Sequence, residues 1–135
     1  MIQSTATIPT TLRTARAAFE IWMMGRAAAG DGFHFAPAGS GFTWAAASQE
    51  GHPASRGRLL LTQTRHGVKV TLTTDSYSLP ALIREGFGKT RREVEDRVRS
   101  SQDGVLQWFS EYLSSHQDLQ QGLRAPVPDD DAGLS

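Results

Sequence analysis

The residue types that most often carry catalysis form no recognisable set in this chain. Cysteine is absent, which excludes disulfides, thiolate catalysis and zinc–thiolate sites together. No pair of the four histidines has the spacing of a metal site, so the sequence predicts no metal and no cofactor. A Gly-x-Ser-x-Gly elbow is missing, and the string GFGKT at 86–90 lacks the strand-loop-helix spacing of a phosphate loop. The sequence therefore names no catalytic residue.

General acid–base chemistry requires an ionisable side chain held beside a substrate. Tyr77, Glu85 and Tyr112 have suitable groups, and nothing in their spacing selects one of them. Gln63 is more informative, because the alternation of its strand places an amide on the inward face, where it needs a hydrogen-bond partner. A position near the open rim of the sheet would satisfy it equally well. The sequence leaves enzymatic activity undecided.

Length and composition describe a single globular domain. The chain has 135 residues, of which 39% are hydrophobic and 21% charged. Its 14 basic and 14 acidic residues cancel, which gives no electrostatic reason to expect nucleic acid as a partner. No signal-peptide pattern or long apolar run is present, so we expect a cytoplasmic protein without stable membrane insertion. We expect one domain over 1–116 and a disordered polar and acidic tail over 117–135.

A β-hairpin and a long helix are the elements that would position a site. Residues 58–64 and 68–74 are rich in Leu, Val and Thr and predict two strands around a turn centred on His66 and Gly67. That turn would set Leu61 opposite Leu72. The predicted inward face contains Leu59, Leu61, Val68, Val70 and Leu72.

The predicted long helix begins near Thr90 and covers that face. Its apolar stripe runs through Val94, Val98, Val105, Phe109 and Tyr112, widened by Leu106, Trp108 and Leu113. Small residues, Ser101 and Gly104, interrupt the stripe. Either the packing is loose at that turn, or the small residues leave room for another molecule between helix and sheet.

The remaining patterns complete an α+β fold with an antiparallel sheet and helices on one side. We predict strands at 2–8, 33–35 and 42–47, and a first helix at about 12–24, ended by Gly25. A loop follows at 50–53, and an extra helical turn is predicted at about 83–89.

Several strings in this order resemble the helix-grip superfamily, which includes START domains, birch-pollen-allergen-like proteins and polyketide cyclase/dehydrase-like proteins. The likeness is to the polyketide cyclase and coenzyme Q-binding branch. TIP at 7–9 with AFEIW at 18–22 is similar to that branch's first strand and Trp-bearing helix. FTW at 42–44, followed by EG at 50–51, resembles its apolar-x-Trp strand and the loop after it. GRLLLT at 57–62, GVKVTL at 67–72 and REVEDRV at 92–98 resemble its penultimate hairpin and the start of its C-terminal helix.

The resemblance implies an antiparallel sheet wrapped around a long C-terminal helix, with a ligand cavity between them. Residues 25–41 are too short for the second helix and two strands that the family has there, so we expect a reduced sheet. The implied ligand is a small hydrophobic molecule such as a polyketide, quinone or lipid, with cyclase or dehydratase activity as an extension. The lining predicted on this basis is Trp22, Phe35, Trp44, Leu59, Leu61, Gln63, Val70, Leu72, Val98, Ser101, Val105 and Phe109.

Each apolar member of that lining is by itself better explained as ordinary core. A second hypothesis therefore stays open: a non-enzymatic interaction module, in which a reduced sheet edge and an apolar patch bind a partner chain or form a homodimer. The two hypotheses differ in whether the aromatic residues surround a cavity or lie on the surface.

Overall fold

In the part of the chain that the structure describes, five strands and three helices follow one another in the order β-α-β-β-β-β-α-α. The structure is a computed structural model that describes residues 1–47 and 53–124, with side chains for 1–47 and 54–114. The elements are β1 (Ile2–Ile8), α1 (Leu12–Ala28), β2 (Phe33–Ala38), β3 (Gly41–Ala47), β4 (Pro53–Thr64), β5 (Gly67–Tyr77), α2 (Leu79–Arg84) and α3 (Arg91–Arg124). The predicted loop at 50–53 lies almost entirely outside the described residues.

The strands form one open antiparallel sheet in the order β1-β5-β4-β3-β2. The predicted α+β class with a long C-terminal helix is therefore confirmed. Because the first strand pairs with the last, chain segments that are distant in sequence meet at one edge of the sheet. Its inner face carries alternate residues of every strand, including Ile8, Phe42, Leu59 and Val70, which are all fully buried.

The β4–β5 hairpin has the predicted faces but a different register. Leu61 pairs with Val70 rather than with Leu72, and Thr64 pairs with Gly67. The two-residue loop is thus one position earlier than predicted, and Gly67 ends it with φ 130°. Moving the loop by one position shifts the pairing partner of each residue by two. Because this shift is an even number, the same side chains still face inward.

A bulge near the end of β5 redirects its last residues. Thr74 pairs with Gly57 and Ser76 with Arg56, which leaves Asp75 outside the pairing. The Arg58 guanidinium donates two hydrogen bonds to the Asp75 carboxylate, at 2.9 and 2.8 Å.

The first helix is longer than its glycine suggested. The Thr11 side chain accepts a hydrogen bond from the Thr14 amide and caps the N-terminus. Gly25 does not end the helix, which continues to Ala28 before Gly30 adopts φ 76°. Alanines after Gly25 sustain the helix because alanine has the highest helix propensity.

The second helix begins earlier than the extra turn predicted at 83–89. Ser78 caps it by accepting a hydrogen bond from the Ala81 amide, and Pro80 lies in its first turn. A proline that would interrupt a strand is well suited to that position. The predicted turn covers only the end of α2 and the connector to α3.

The buried side of α3 follows a steady spacing through Val94, Val98, Gln102, Leu106 and Phe109. Trp108 and Tyr112, placed in the predicted stripe, are 53% and 39% exposed. Gly104 is also exposed, so it opens no space against the sheet. The helix runs to Arg124 and thus continues into the segment predicted as a tail, whose residues 125–135 lie outside the description.

Two apolar clusters hold the helices to the sheet. The larger cluster joins α1, the C-terminal part of α3 and the sheet, and at its centre the Phe19 and Phe109 rings stack at 4.0 Å. Its buried members are Ile8, Ala15, Phe19, Met23, Phe33, Phe42, Leu59, Leu61, Val68, Val70, Leu72, Leu106, Phe109 and Leu113. The smaller cluster joins α2 and the start of α3 to the other end of the sheet. It consists of Ile2, Ala54, Ala81, Leu82, Val94 and Val98.

Candidate ligand-binding cleft

A cleft of about 860 Å³ lies between the inner face of the sheet and the helices. The end of α1 and residues 30–32 form one side, α2 and its connector form another, and the middle of α3 covers it. Both clusters contribute to its walls, with Phe33 and Leu72 from the larger one and Leu82 and Val98 from the smaller one. Its volume falls within the range of small-molecule sites.

Half of the predicted lining residues lie on this cleft. They are Trp22, Trp44, Leu72, Val98, Ser101 and Val105. Leu59, Leu61, Val70 and Phe109 are instead buried in the larger cluster. Phe35 packs on the edge of that cluster, with its ring 5.8 Å from the Phe42 ring.

Gln63 lies at the opposite end of the hairpin from the cleft. Its side-chain oxygen accepts a hydrogen bond from the Leu12 amide at 2.9 Å. Its amide nitrogen donates to the carbonyls of Thr64 and Gly67 at 3.2 and 3.1 Å. The Gln63 side chain therefore connects the start of α1 to the β4–β5 turn. Of the two positions considered from the sequence, Gln63 occupies the one at the open rim of the sheet.

Gln102 forms the polar floor of the cleft and is only 5% exposed. Its oxygen accepts from the Thr74 hydroxyl at 2.6 Å. Its nitrogen donates to the Ile2 carbonyl at 3.3 Å and to the Ser4 hydroxyl at 3.2 Å. Gln102 was not among the predicted lining residues, although its spacing of four from both Val98 and Leu106 places it on the buried stripe of α3.

Trp44 is a partly buried aromatic residue of the cleft. Its ring lies parallel to that of Phe33, with centroids 6.4 Å apart and 13° between planes. A Cβ atom on Gly57, its neighbour across the strands, would come within 2.8 Å of the indole and 1.8 Å of the Thr73 carbonyl oxygen. Glycine is thus required at position 57, because any side chain there would collide with the Thr73 carbonyl and the Trp44 indole. The indole Nε1 is buried and has no hydrogen-bond partner among the described residues.

Glu85 lies on the cleft immediately after α2. Its amide donates to the Ala81 carbonyl at 3.1 Å, and Gly86 then turns the chain with φ 89°. Its Oε2 atom is buried and, within the described part of the chain, has no hydrogen-bond partner. Of the three acid–base candidates named from the sequence, this one reaches the cleft, whereas Tyr77 and Tyr112 do not.

Two further charged residues line the cleft, Arg26 and Asp31. The Arg26 guanidinium lies over the faces of Phe33 and Trp22, at 5.0 and 5.7 Å from the ring centroids. Among the residues that the structure describes, the lining therefore carries one basic and two acidic side chains.

A separate polar cluster lies beside a second, smaller pocket of about 240 Å³. After the β5 bulge, the Tyr77 hydroxyl donates to the Glu95 carboxylate and accepts from Arg91 at 3.0 Å. The hydrogen bond to Glu95 holds the phenol proton and raises the pKa of Tyr77. These contacts fasten the start of α3 to the sheet and do not reach the cleft.

The cleft offers mainly apolar surface with a small number of polar and charged side chains. Its walls combine aromatic and aliphatic side chains with a few fixed polar groups, and the described residues include no cluster of three or more His, Asp or Glu placed to hold a metal. Among those residues, no helix is both long enough and apolar enough to cross a bilayer. Comparison with protein-family models, curated proteins and solved structures gave no match for this chain.

Proposed function

We propose that this chain is a reduced helix-grip protein that binds a small lipophilic or aromatic molecule in the cleft between its sheet and α3. The observation that carries the proposal is the cleft itself. An open-sided cleft of about 860 Å³ lies between α3 and the strands β3, β4 and β5, at the junction of the two apolar clusters, and its volume is in the range of small-molecule sites.

The wall composition supports a flat, ring-bearing ligand. Trp22, Phe33, Trp44 and Phe87 contribute aromatic surface from four different parts of the chain. Stacking and edge contacts with such rings favour aromatic partners beyond simple burial of apolar area. Polyketide-like aromatics, quinones and lipids with ring systems are the classes that fit this surface.

The strings that suggested the helix-grip resemblance support the same proposal by their positions. FTW at 42–44 places Trp44 in the cleft, and AFEIW at 18–22 places Trp22 there and Phe19 in the larger cluster. Helix-grip proteins usually have six or seven strands; the sheet formed by the described residues has five, in line with the expected reduction. A cyclase or dehydratase step would need one acid or base beside the substrate, and Glu85 has that chemistry.

Native mass spectrometry of protein expressed in bacteria, followed by extraction of bound material, tests the proposal. We expect a near-stoichiometric lipophilic molecule, or a gain in thermal stability from a panel of quinones, aromatic polyketides and fatty acids. A ligand at one hundred times its dissociation constant stabilises a protein by about 2.7 kcal/mol. An empty protein that no compound stabilises would refute the proposal.

A pair of neighbouring substitutions links any binding to the cleft. Ser101 and Ser100 are both exposed on α3, but only Ser101 lines the cleft. We expect Ser101→Trp to fill the space and abolish binding, and Ser100→Trp to leave it unchanged. Equal binding by both variants would place the ligand elsewhere.

The interaction module is kept as a second candidate because of one surface feature. Trp108 is 53% exposed and stacks on Tyr112 with centroids 5.1 Å apart, outside the cleft. Sedimentation analysis tests this candidate: a dimer that Trp108→Ala dissociates and Ser101→Trp does not would support it. A monomer at all concentrations would exclude the homodimer.

A further inference from the structure

We infer that the molecule bound in this cleft is an amphipathic anion: its carboxylate is held by the Arg26 guanidinium, and its apolar body lies against the aromatic and aliphatic walls. The inference rests on the proposed function and specifies the chemical class of the ligand. Arg26 is exposed and also lines the cleft, so its side chain is accessible to a molecule that enters.

Arg26 extends the inner face of α1 to the border of the cleft. It follows Trp22 by four residues and Met23 by three, so it lies on the same side of the helix as both. Those two residues also line the cleft. A charged residue on the side of a helix that otherwise packs against the core is unusual. The space beside Arg26 is the one in which we propose that the ligand binds.

Two aromatic rings of the lining hold the Arg26 guanidinium in place. Its central carbon lies 5.0 Å from the centroid of the Phe33 ring and 5.7 Å from that of the Trp22 ring. Cation–π contacts of this kind do not use the N–H donors of a guanidinium. The rings therefore restrict the side chain and leave its hydrogen-bonding capacity for another partner. Such preorganisation lowers the entropic cost of binding.

The N–H donors of the Arg26 side chain have no acceptor among the described residues. Arg58, by contrast, donates to the Asp75 carboxylate, and Arg91 donates to the Tyr77 hydroxyl. The ion pair between Arg58 and Asp75 is the one found within 4.0 Å among the described residues, so Arg26 has no carboxylate partner there. A guanidinium presents paired N–H groups that match the two oxygens of a carboxylate. The structure therefore leaves an oxyanion-binding group at the edge of an apolar cleft.

The acidic residues of the lining limit the charge that the ligand can carry. Asp31 and Glu85 also line the cleft, and neither forms an ion pair with Arg26. Their negative charges repel an anion placed elsewhere on the walls, and they repel a dianion such as a phosphate more strongly than a monoanion. One carboxylate at Arg26, on a body that is otherwise uncharged, is the arrangement that fits these charges.

Three probes with a common naphthalene ring isolate the contribution of the ligand charge. Naphthylacetate carries the carboxylate. Naphthylacetamide has nearly the same shape without the charge, and naphthylethylamine carries the opposite charge. Binding of each probe is measured by calorimetry to the full chain and to variants at a single position of the lining.

The variants at Arg26 test whether its guanidinium selects the anion. We expect the unaltered protein to bind naphthylacetate about fivefold or more tightly than naphthylacetamide, because a charge-assisted hydrogen bond replaces a neutral one. Arg26→Gln should abolish this preference and leave the affinity for the amide unchanged. Arg26→Lys should retain part of the preference, because lysine keeps the charge but lacks the planar pair of donors.

Arg16→Gln is the matched control. Arg16 also belongs to α1, and its guanidinium lies over an aromatic ring, 4.9 Å from the Phe42 centroid, but it does not line the cleft. This variant should keep the preference for naphthylacetate. Raising the ionic strength should weaken binding of naphthylacetate to the unaltered protein and leave binding of the amide unchanged.

The side-chain Nε–H signal of Arg26 provides a second readout by nuclear magnetic resonance. Its absence from the spectrum of Arg26→Gln identifies it. We expect naphthylacetate to move this signal strongly and naphthylethylamine to leave it in place.

The outcomes distinguish the inference from the proposed function. If the probes bind with equal affinity, or if Arg26→Gln keeps the preference for the carboxylate, the cleft binds apolar rings and the role of Arg26 is refuted. Tightest binding of the amine would show that Asp31 and Glu85 control the cleft, and would refute the inference as well. If no probe binds at millimolar concentration, both the inference and the ligand-binding function are refuted. A preference that Arg26→Gln loses and Arg16→Gln keeps supports both.

Discussion

Replacing Gln102 by leucine tests the claim that a polar floor holds α3 to the edge of the sheet. The substitution removes the three hydrogen bonds to Thr74, Ser4 and the Ile2 carbonyl. At about 1 kcal/mol each, their loss destabilises the fold by about 3 kcal/mol. Burying leucine in place of the amide offsets about 1 kcal/mol, because one side of it faces the open cleft. We therefore expect a net loss of about 2 kcal/mol.

The assay is equilibrium unfolding in urea. Unfolding free energies are compared only between variants whose free energy of unfolding falls with urea concentration at the same slope. Gln107→Leu is the matched control. Gln107 is exposed on the same helix and makes one hydrogen bond, to Glu111 at 3.2 Å. Its replacement should change the unfolding free energy by less than about 0.5 kcal/mol.

A double-mutant cycle with Thr74→Val isolates the central contact. The two hydrogen-bonding atoms lie 2.6 Å apart, so the coupling free energy between Gln102→Leu and Thr74→Val should be about 1 kcal/mol. Strict additivity of the two substitutions, or a Gln102→Leu variant as stable as the parent, would refute the assignment of Gln102 as a structural contact.

Two other predictions concern the backbone and the titration of the chain. Gly57→Ala should lower the free energy of unfolding by about 3 kcal/mol or prevent folding, because the new Cβ would lie 1.8 Å from the Thr73 carbonyl oxygen. Gly104→Ala should raise the free energy of unfolding by about 0.5–1 kcal/mol, because its Cβ would meet no atom within 4 Å outside its own helix backbone and chain neighbours. Similar unfolding free energies for both variants would contradict this. Ultraviolet titration of Tyr77 should show a pKa above the ordinary tyrosine value, because the neutral phenol donates to Glu95. Because the pKa of Tyr77 is raised in the folded state, its hydrogen bond to Glu95 contributes fully to stability at pH values below the pKa that Tyr77 has in the unfolded chain. This contribution is lost as the pH rises through the pKa that Tyr77 has in the folded protein. Glu95→Gln should lower the Tyr77 pKa, and an unchanged titration would refute the assignment.

Local patterns predicted the parts of this fold that local physics determines. The alternation through Leu59, Leu61 and Val70 predicted the inner face correctly, because a strand has a period of two whatever its neighbours do. The hairpin register was wrong by two residues because it depends on which two residues form the loop. Gly67 can serve either inside that loop or at its end.

The extents of the helices depended on competing local signals. Gly25 was interpreted as the end of α1, although the alanines that follow it favour continuation. Pro80 would interrupt a strand, but the Ser78 cap two residues earlier places it in the first turn of a helix, which therefore begins before the predicted turn at 83–89. In both cases residues two or three positions away determined where the helix begins or ends.

The cleft was harder to predict than the fold, because its position depends on contacts across the whole chain. Trp22 and Trp44 were assigned to it from the resemblance, and both line it. Glu85 reaches it only because α2 packs against the start of α3, which no local pattern indicates. Gln102, by contrast, lay on the apolar period of α3, and a polar residue at such a position is itself a signal of a buried network.

The division of the apolar interior into two clusters has a consequence for the folding cooperativity of the molecule. The smaller cluster has six buried members and the larger has fourteen, so α2 and the first turns of α3 can detach at a lower free energy than global unfolding requires. Such an opening widens the cleft and gives a bulky molecule a path inward. A ligand bound there, as proposed, would contact both clusters and make them a single cooperative unit. Amide hydrogen exchange in α2 should therefore slow far more upon ligand binding than exchange at the centre of the sheet.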